Sequence, residues 1–275
     1  MQDNWLKENM VHSLLMTTGK VAYEETGEGP PVVLMHANLH DHRDFDPIVP
    51  ALAEHYRVIA IDWPGHGQSG IKTDVTAGAI ADTLAEFVEK LDLEPAVFIG
   101  NSIGGYAAAR LALDHPDRVA GLVLVQPGGF TKRSLITRAY CRAFGSSLVA
   151  RRWLPRIIRT YMKASNDNDR AVVGRVIRFA TTAAGQATYS SLWRSFNDPR
   201  FDLTEGASGI TAPTLIVWGK LDPVIPLRYG KVAHKLIAGS QLEVMNTGHL
   251  PFSSMPNQFL RITQPFVQSV HATSV

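Results

Sequence analysis

A serine flanked by glycines is the strongest chemical signal in the sequence. Ser102 stands at the centre of residues 100–104 (GNSIG), after the apolar run 96–99 and before an Ala-rich helical pattern. This G-x-S-x-G spacing suits a nucleophile on a sharp strand-to-helix turn, because a Cβ at either glycine would collide with adjoining backbone. The helix N-terminus would favour negative charge developing there. The alternative interpretation is a glycine-rich turn whose serine only caps the helix.

A serine hydroxyl needs a base near neutral pH, and histidine titrates in the right range. Of the ten histidines, only His249 lies in a glycine-flanked loop after a late strand-like run, residues 241–245. The imidazole in turn needs a carboxylate to hold its tautomer. Asp222 closely follows the apolar run 215–218, whereas residues 125–128 (VQPG), after an earlier run, offer no carboxylate. We therefore predict Ser102 as nucleophile, His249 as general base and acid, and Asp222 as the orienting carboxylate.

From about residue 21 to residue 267 the chain resembles the α/β-hydrolase superfamily. The order Ser102, Asp222, His249 is the order of that family. Further resemblances to its loops lie at residues 35–38 (MHAN), 62–69 (DWPGHGQS), 219–226 (GKLDPVIP) and 246–252 (NTGHLPF). The resemblance implies an oxyanion hole formed by the backbone N–H groups of Asn38 and Ile103. It also implies that no metal or organic cofactor is needed.

Four other histidines have structural or metal-binding interpretations. His36 and His66 are expected to brace their loops rather than to transfer protons. Residues 40–44 (HDHRD) contain H-x-H-x-D, part of a two-metal hydrolase signature, but Phe45 stands where a further ligand would be expected. The alternative is a polar loop whose Asp46 caps a helix over residues 46–54. We favour that alternative and predict no metal site.

The elements that position these residues alternate between strand and helix. Apolar β-branched runs at 31–35, 57–61, 96–99, 121–125 and 215–218 are typical of strands covered on both faces. Helical patterns at 77–91, 106–113 and 228–236 separate them. Residues 11–17 and 20–25 suggest an N-terminal hairpin. The sequence therefore predicts an α/β fold with a mostly parallel, doubly wound sheet.

This alternation stops between residues 128 and 200, where the sequence is helical and aromatic. We predict that these residues form a helical cap over a hydrolase core made of residues 1–127 and 201–275. The segment holds 14 Lys and Arg and only three Asp, a net charge of +11, which leaves −9 for the remainder. Such a segment could receive anionic substrates or touch a membrane surface. We favour the alternative, a solvated outer face with apolar residues lining the pocket. Pro155 is expected to open a helix.

Composition limits the remaining classes. The chain has 275 residues, a formal net charge of +2 and one cysteine, Cys141. One cysteine excludes an internal disulfide and a Cys-rich zinc site, and near-neutrality gives no overall signature of nucleic-acid binding. Residues 1–20 show no secretory signal, and no apolar run reaches the length of a membrane span. We expect a soluble, cytoplasmic protein with a small-molecule substrate; the sequence leaves its oligomeric state open.

The predicted activity is hydrolysis of a small, largely apolar ester or lactone through an acyl-enzyme. One alternative is cleavage of a C–C bond, because residues 100–102 (GNS) with 127–129 (PGG) resemble the meta-cleavage-product hydrolases. Ala37 and Leu250 depart from that pattern. A third interpretation, from another class, is a ligand receptor on a hydrolase fold with little turnover.

Overall fold

An eight-stranded sheet organises the chain. The computed structural model describes residues 11–273. The expectation that residues 1–20 carry no secretory signal therefore lies partly outside the described residues, because it includes residues 1–10. The strands are β1 Val11–Met16, β2 Gly19–Thr26, β3 Pro31–Met35, β4 Arg57–Asp62, β5 Ala96–Asn101, β6 Val119–Val125, β7 Thr214–Gly219 and β8 Gln241–Met245. Their order is β1-β2-β4-β3-β5-β6-β7-β8, and every pairing from β4 to β8 is parallel. The predicted mostly parallel, doubly wound sheet is confirmed.

Ten helices accompany the sheet in the part of the chain that the structure describes. They are α1 Val49–Ala53, α2 Ala77–Lys90, α3 Ile103–Asp114, α4 Leu135–Phe144, α5 Ser147–Met162, α6 Asp167–Ala180, α7 Ala183–Ser195, α8 Leu227–Leu236, α9 Pro251–Ser254 and α10 Pro256–Thr273. The antiparallel hairpin β1–β2 is also as predicted. Helices α4 to α7 lie between β6 and β7, within the segment where the strand–helix alternation stops.

Two apolar clusters pack on the sheet. One contains buried residues of α2 and α3, among them Phe87 and Tyr106. The other contains residues of α10 together with Leu154 and Ile158 of α5 and Val176 of α6. Helices α5 and α6 therefore share a core with the sheet. No residue of α4 is buried.

Two helix boundaries differ from the predictions. Pro155 does not open a helix; it lies inside α5, which begins where the Ser146 side chain accepts the Val149 N–H at 3.3 Å. Burial of Leu154 before the proline and of Ile158 after it offsets the hydrogen bond that the proline cannot donate. The helix expected over residues 46–54 is reduced to α1, because Pro50 is tolerated only in a first turn.

The sheet brings the candidate residues to one edge. Because β5, β6, β7 and β8 are parallel neighbours, the loops that follow them leave from the same side. Ligands bind at this carboxyl edge in open α/β sheets. Ser102, Asp222 and His249 follow β5, β7 and β8 respectively.

Candidate active site

Ser102 occupies a strained turn between β5 and α3. Its backbone has φ 55° and ψ −109°, a region that side chains with a Cβ rarely adopt. The turn depends on its glycines: a Cβ on Gly100 would lie 2.5 Å from the carbonyl carbon of Gly104, and one on Gly104 would lie 2.4 Å from the Met35 oxygen. Such strain persists only where surrounding contacts impose it, and it concentrates at functional sites.

His249 and Asp222 form a buried pair. The Nδ1 atom of His249 lies 2.6 Å from Oδ2 of Asp222, and both residues are at most 5% exposed. The other carboxylate oxygen of Asp222 accepts the backbone N–H groups of Val224, at 2.8 Å, and Ile225, at 3.3 Å. The turn after β7 therefore fixes the carboxylate, and the carboxylate fixes the imidazole with Nδ1 as the donor. Nε2 is left as the nitrogen with a lone pair.

The sequence analysis missed a fourth hydrogen-bond donor to that carboxylate. Gln126, at the end of β6, donates from Nε2 to Oδ2 of Asp222 at 2.6 Å and to the Gly248 carbonyl at 3.3 Å. It is fully buried and has φ 46°, a backbone conformation that is uncommon outside glycine. The signal was available, because a polar residue ends an otherwise apolar strand beside the one that carries Asp222.

Asn101 connects the serine turn to the histidine loop. Its side-chain nitrogen donates to the carbonyls of Val125 and His249, each at 3.1 Å. The residue is fully buried. The sequence analysis used Asn101 only as part of a motif and gave its side chain no role, although a buried amide needs hydrogen-bond partners.

One pocket contains Ser102, His249 and Asn38 in its wall. Asp222 lies behind His249 and does not line it. The rest of the wall is mainly apolar and comes partly from the inserted helices: Ala37, Leu39, Phe144, Leu154, Ile157, Tyr161, Tyr189, Trp193, Phe196 and Val224. A mainly apolar pocket with a few convergent polar groups is the usual form of a small-molecule site.

Two backbone N–H groups next to this pocket have no acceptor. Ile103 is the first residue of α3, so its N–H has no intrahelical partner. Within residues 11–273, neither this N–H nor that of Asn38 donates a hydrogen bond. Leu39, which follows Asn38, has φ 71°, so the turn after β3 is strained as well.

Comparison with known proteins identifies the family. The model of the alpha/beta hydrolase fold matches residues 30–255. The chain belongs to the α/β-hydrolase family. It is 30% identical to an uncharacterised protein of Mycobacterium tuberculosis, over 90% of this chain and 78% of the relative. It is 26% identical to 3-oxoadipate enol-lactonase 1 of Acinetobacter baylyi, over 94% of this chain and 98% of the relative.

Solved structures agree with this assignment. An esterase from Exiguobacterium antarcticum superimposes with a TM-score of 0.82 at 26% identity, over 94% of this chain and 100% of that chain. The resemblance to the family, the fold and the enzyme class predicted from the sequence are confirmed: the protein is an α/β-fold hydrolase.

In this hydrolase, His36 and His66 hold the loops after β3 and β4. His36 Nδ1 lies 2.7 Å from the Ala37 carbonyl, and its Nε2 accepts the Trp63 backbone N–H at 3.1 Å. His66 lies 3.1 Å from the Pro64 carbonyl and 3.4 Å from the Asn38 side-chain oxygen. Burial lowers the pKa of His36 and lowers that of His66 to about 3, where the neighbouring His36 adds to the effect. The contacts of both histidines fit the predicted bracing role.

The histidines of the H-x-H-x-D segment point into different networks. His42 contacts Asp62 and Glu24, at 2.9 and 3.0 Å. His40 is hydrogen-bonded through Nδ1 to Asp44, and its Nε2 lies 2.9 Å from the Tyr161 hydroxyl. The described residues contain no group of three or more His, Cys, Asp or Glu side chains arranged to hold a metal.

Tyr161 links this network to the candidate site. Its ring packs edge-on against His249 with centroids 5.5 Å apart, and its carbonyl accepts the His249 backbone N–H at 3.4 Å. Burial raises the pKa of Tyr161 well above its usual value, so the hydroxyl keeps its proton. The inserted helix α5 therefore contacts His249 directly.

Among residues 11–273, none of the helices combines the length and the apolar composition that a membrane span requires.

Proposed function

We propose that this hydrolase cleaves small, largely apolar carboxylic esters or lactones through an acyl-enzyme on Ser102. One observation carries the proposal. A serine on a strained strand-to-helix turn shares a pocket with His249, whose other ring nitrogen is held by the buried Asp222 carboxylate. Nucleophile, base and orienting group are the three parts that serine acyl transfer requires.

The proposed reaction has two halves. His249 Nε2 takes the proton of the Ser102 hydroxyl while Oγ attacks the carbonyl carbon. The oxyanion accepts hydrogen bonds from the N–H groups of Asn38 and Ile103. His249 then returns the proton to the leaving alkoxide as the acyl–oxygen bond breaks. A water molecule, deprotonated by His249, attacks the acyl carbon, and His249 returns that proton to Ser102 Oγ as the bond between Oγ and the acyl carbon breaks, which releases the acid and free Ser102. With a lactone, the released hydroxyl and the acid belong to one product.

The substrate class follows from the pocket wall and from the relatives. The wall is mainly apolar, so a hydrocarbon acyl or alkyl group gains free energy on entering it. The named relatives are an enol-lactonase and an esterase. Because Phe144, Tyr161 and Trp193 of the inserted helices form much of the wall, we propose that residues 128–200 act as the cap that selects the substrate.

A fluorophosphonate probe tests the nucleophile. We expect it to label the wild-type protein and not the Ser102→Ala variant, and to label a His249→Asn variant far more slowly. Ser147→Ala is the matched control, because Ser147 is an exposed serine at the start of α5. Labelling that persists in Ser102→Ala would reject the proposal.

A substrate panel separates the proposal from the two alternatives. Steady turnover of short p-nitrophenyl esters and of simple lactones supports it. Preferential turnover of a dienoate ring-fission product would favour C–C cleavage instead. Tight binding of a ligand without turnover of any substrate would favour a receptor.

A further inference from the structure

The outer side of helices α4 and α5 carries exposed apolar and cationic side chains together. We call it the α4–α5 face, and it consists of Leu135, Ile136, Arg142, Leu148, Arg151, Arg152, Trp153, Arg156 and Arg159. Every one of these residues is exposed to solvent. Its α5 residues other than Arg151 lie on the opposite side of α5 from the buried residues that pack on the sheet.

Its apolar members are unusually accessible. Leu135 is 80% exposed, Ile136 82%, Leu148 64% and Trp153 46%. Single exposed apolar side chains are ordinary, but neighbouring ones rimmed by polar groups are typical of an interaction site. They do not serve the pocket, whose wall takes Phe144 from α4 and Leu154, Ile157 and Tyr161 from α5.

The charge on the face has one sign. The sequence has no Asp or Glu between Asp117 and Asp167, a stretch that holds the two helices. In the range 11–273, none of Arg142, Arg151, Arg152, Arg156 and Arg159 forms an ion pair with a carboxylate. The face is therefore an unneutralised cationic patch on a chain whose remaining residues are net negative.

Helix α5 is amphipathic, with a buried apolar side and an exposed side that carries arginines. Ala150, Leu154, Ile158 and Met162 recur every four residues and are buried. Arg152, Arg156 and Arg159 lie on the opposite side, in line with Leu148. Trp153 borders this stripe, and the Arg156 guanidinium lies 5.5 Å from the centre of its ring. A helix that carries Arg with Trp and Leu on its accessible side is suited to the interface of a membrane, where both groups find their preferred surroundings.

We propose that the α4–α5 face docks on the surface of an anionic lipid bilayer. A bilayer accepts both kinds of side chain, because phosphate headgroups attract the arginines while leucine, isoleucine and tryptophan enter the acyl boundary. A nucleic acid would use the arginines and leave Leu135 and Ile136 in water. A second copy of the chain would place two faces of like charge against each other. The sequence analysis favoured a solvated face; the exposure of the apolar residues favours docking.

Docking places the pocket beside the lipid. Phe144, at the C-terminal end of α4, lines the pocket, while Leu135 and Ile136 at the other end of the same short helix face outward. An apolar ester dissolved in the membrane then has a short path to the site. The docking itself goes beyond the proposed hydrolysis and does not depend on Ser102.

Vesicle co-sedimentation of the full chain tests the proposal. We expect binding to phosphatidylcholine vesicles containing about 30% phosphatidylglycerol, and about tenfold weaker binding to phosphatidylcholine alone or at high salt. The double variant Leu135→Ser/Ile136→Ser and the double variant Arg152→Gln/Arg156→Gln should each bind at least about fivefold more weakly. Ser102→Ala should bind like the wild type, which separates docking from catalysis.

Leu15→Ser is the matched control, because Leu15 is 76% exposed on the edge strand β1, outside the inserted helices. Equal losses in this variant and in the α4 double variant would overturn the proposal. So would binding to a DNA duplex without binding to vesicles. A dimer in solution that the α4 double variant converts to a monomer, with no vesicle binding by the wild type, would assign the face to self-association instead.

Discussion

Helices α4 and α6 both belong to the segment inserted between β6 and β7, but they are held in opposite ways. Helix α6 has buried residues along its length, and two of its charged side chains, Asp169 and Arg175, reach the loops of the core. Helix α4 has no buried residue. Within residues 11–273 its hydrogen bonds stay in the helix and its capping turns, and its packing relies on the contacts of Tyr140 and Phe144 with Trp193.

The two helices therefore have different roles in the inserted segment. Helix α6 contacts the segment after β3 through Arg175 and contacts helix α9, which directly follows the His249 loop, through Asp169, so it helps to preserve the geometry of the candidate site. The α4 side is held by few contacts, which is typical of elements that open locally at low free-energy cost. The account therefore predicts that substitutions in α6 act on stability and catalysis, whereas substitutions on the outer side of α4 act on neither.

The largest effect is expected at Asp169. Its carboxylate accepts Ser253 Oγ at 2.7 Å, Ser254 Oγ at 3.1 Å and the Ser165 N–H at 2.9 Å, and it is fully buried. Asp169→Ala leaves these donors unpaired, so we expect the free energy of unfolding to fall by about 3 kcal/mol. Urea denaturation measures the change.

Asp167→Ala is the control on the same helix. The Asp167 side chain is 97% exposed, and Arg170 is its ion-pair partner among the described residues, so its loss should cost less than about 1 kcal/mol. Equal costs for Asp167 and Asp169 would show that α6 is not anchored through its buried carboxylate.

Arg175 is expected to come next. Its Nη2 lies 3.0 Å from Oδ1 of Asp44, whose other oxygen binds His40. Arg175→Ala leaves a buried carboxylate half-paired, so we expect a loss of about 2 kcal/mol in stability, together with a lower kcat because His40 supports Tyr161 beside His249. The exposed Arg178, which forms no ion pair within the described residues, provides the control. Unchanged stability and kcat in Arg175→Ala would contradict the prediction.

The loop that α6 grips is expected to make stability depend on pH. Burial by itself would lower the pKa of His42, but its hydrogen bond to Asp62 and the charge of Asp62 outweigh burial and raise the pKa to about 9. The folded pKa lies above the unfolded value of 6.5, so the stabilisation is complete below about pH 6.5 and is lost as the pH rises through about 9. Its size is on the order of 3 kcal/mol.

Unfolding free energies measured from pH 6 to about pH 10 test this dependence. We expect a decline in the wild type and a flatter profile in His42→Asn. A wild-type free energy of unfolding that rises with pH across this range would contradict the prediction.

Gln126 should affect catalysis more than stability. Gln126→Leu removes one of the donors to the Asp222 carboxylate while filling a similar volume, so we expect kcat to fall about tenfold with little change in KM. Steady-state kinetics with a p-nitrophenyl ester measures this, and the melting temperature shows whether the variant is folded. A kcat within about twofold of the wild type would show that Gln126 does not support catalysis.

The smallest effect is expected on the outer side of α4. Ile136→Ala removes a side chain that is already 82% exposed, so stability should change by less than about 0.5 kcal/mol. Leu154→Ala, on the buried side of α5, should cost about 3 kcal/mol because it opens a cavity. A large loss from Ile136→Ala would mean that α4 is held as firmly as its neighbours.

The sequence predicted what local pattern determines. Apolar runs located β3 to β7, because strands that are covered on both faces are composed almost entirely of apolar residues. The glycines around Ser102 predicted the strained turn, because a Cβ at either position would collide with neighbouring backbone. The predicted roles of Ser102, Asp222 and His249 stay predictions until they are tested, although the structure brings Ser102 and His249 to one pocket and Asp222 to His249.

What the sequence did not predict depends on contacts between distant residues. Asn101 and Gln126 are buried amides whose importance lies in partners more than 20 residues away. Arg175 and Asp169 looked like members of a charged helical segment, and only the packing of α6 on the core shows that both reach buried partners. Pro155 was misplaced because tertiary burial of α5 overrides a local preference.

Trapping the acyl-enzyme tests the central claim most directly. The protein is quenched in acid during turnover of p-nitrophenyl acetate, and its mass and peptide map are measured. The account predicts one acetyl group on Ser102 in the wild type and none in Ser102→Ala, which should also lose turnover. An acetyl group on another residue, or a Ser102→Ala variant that turns over the ester at the wild-type rate, would contradict it.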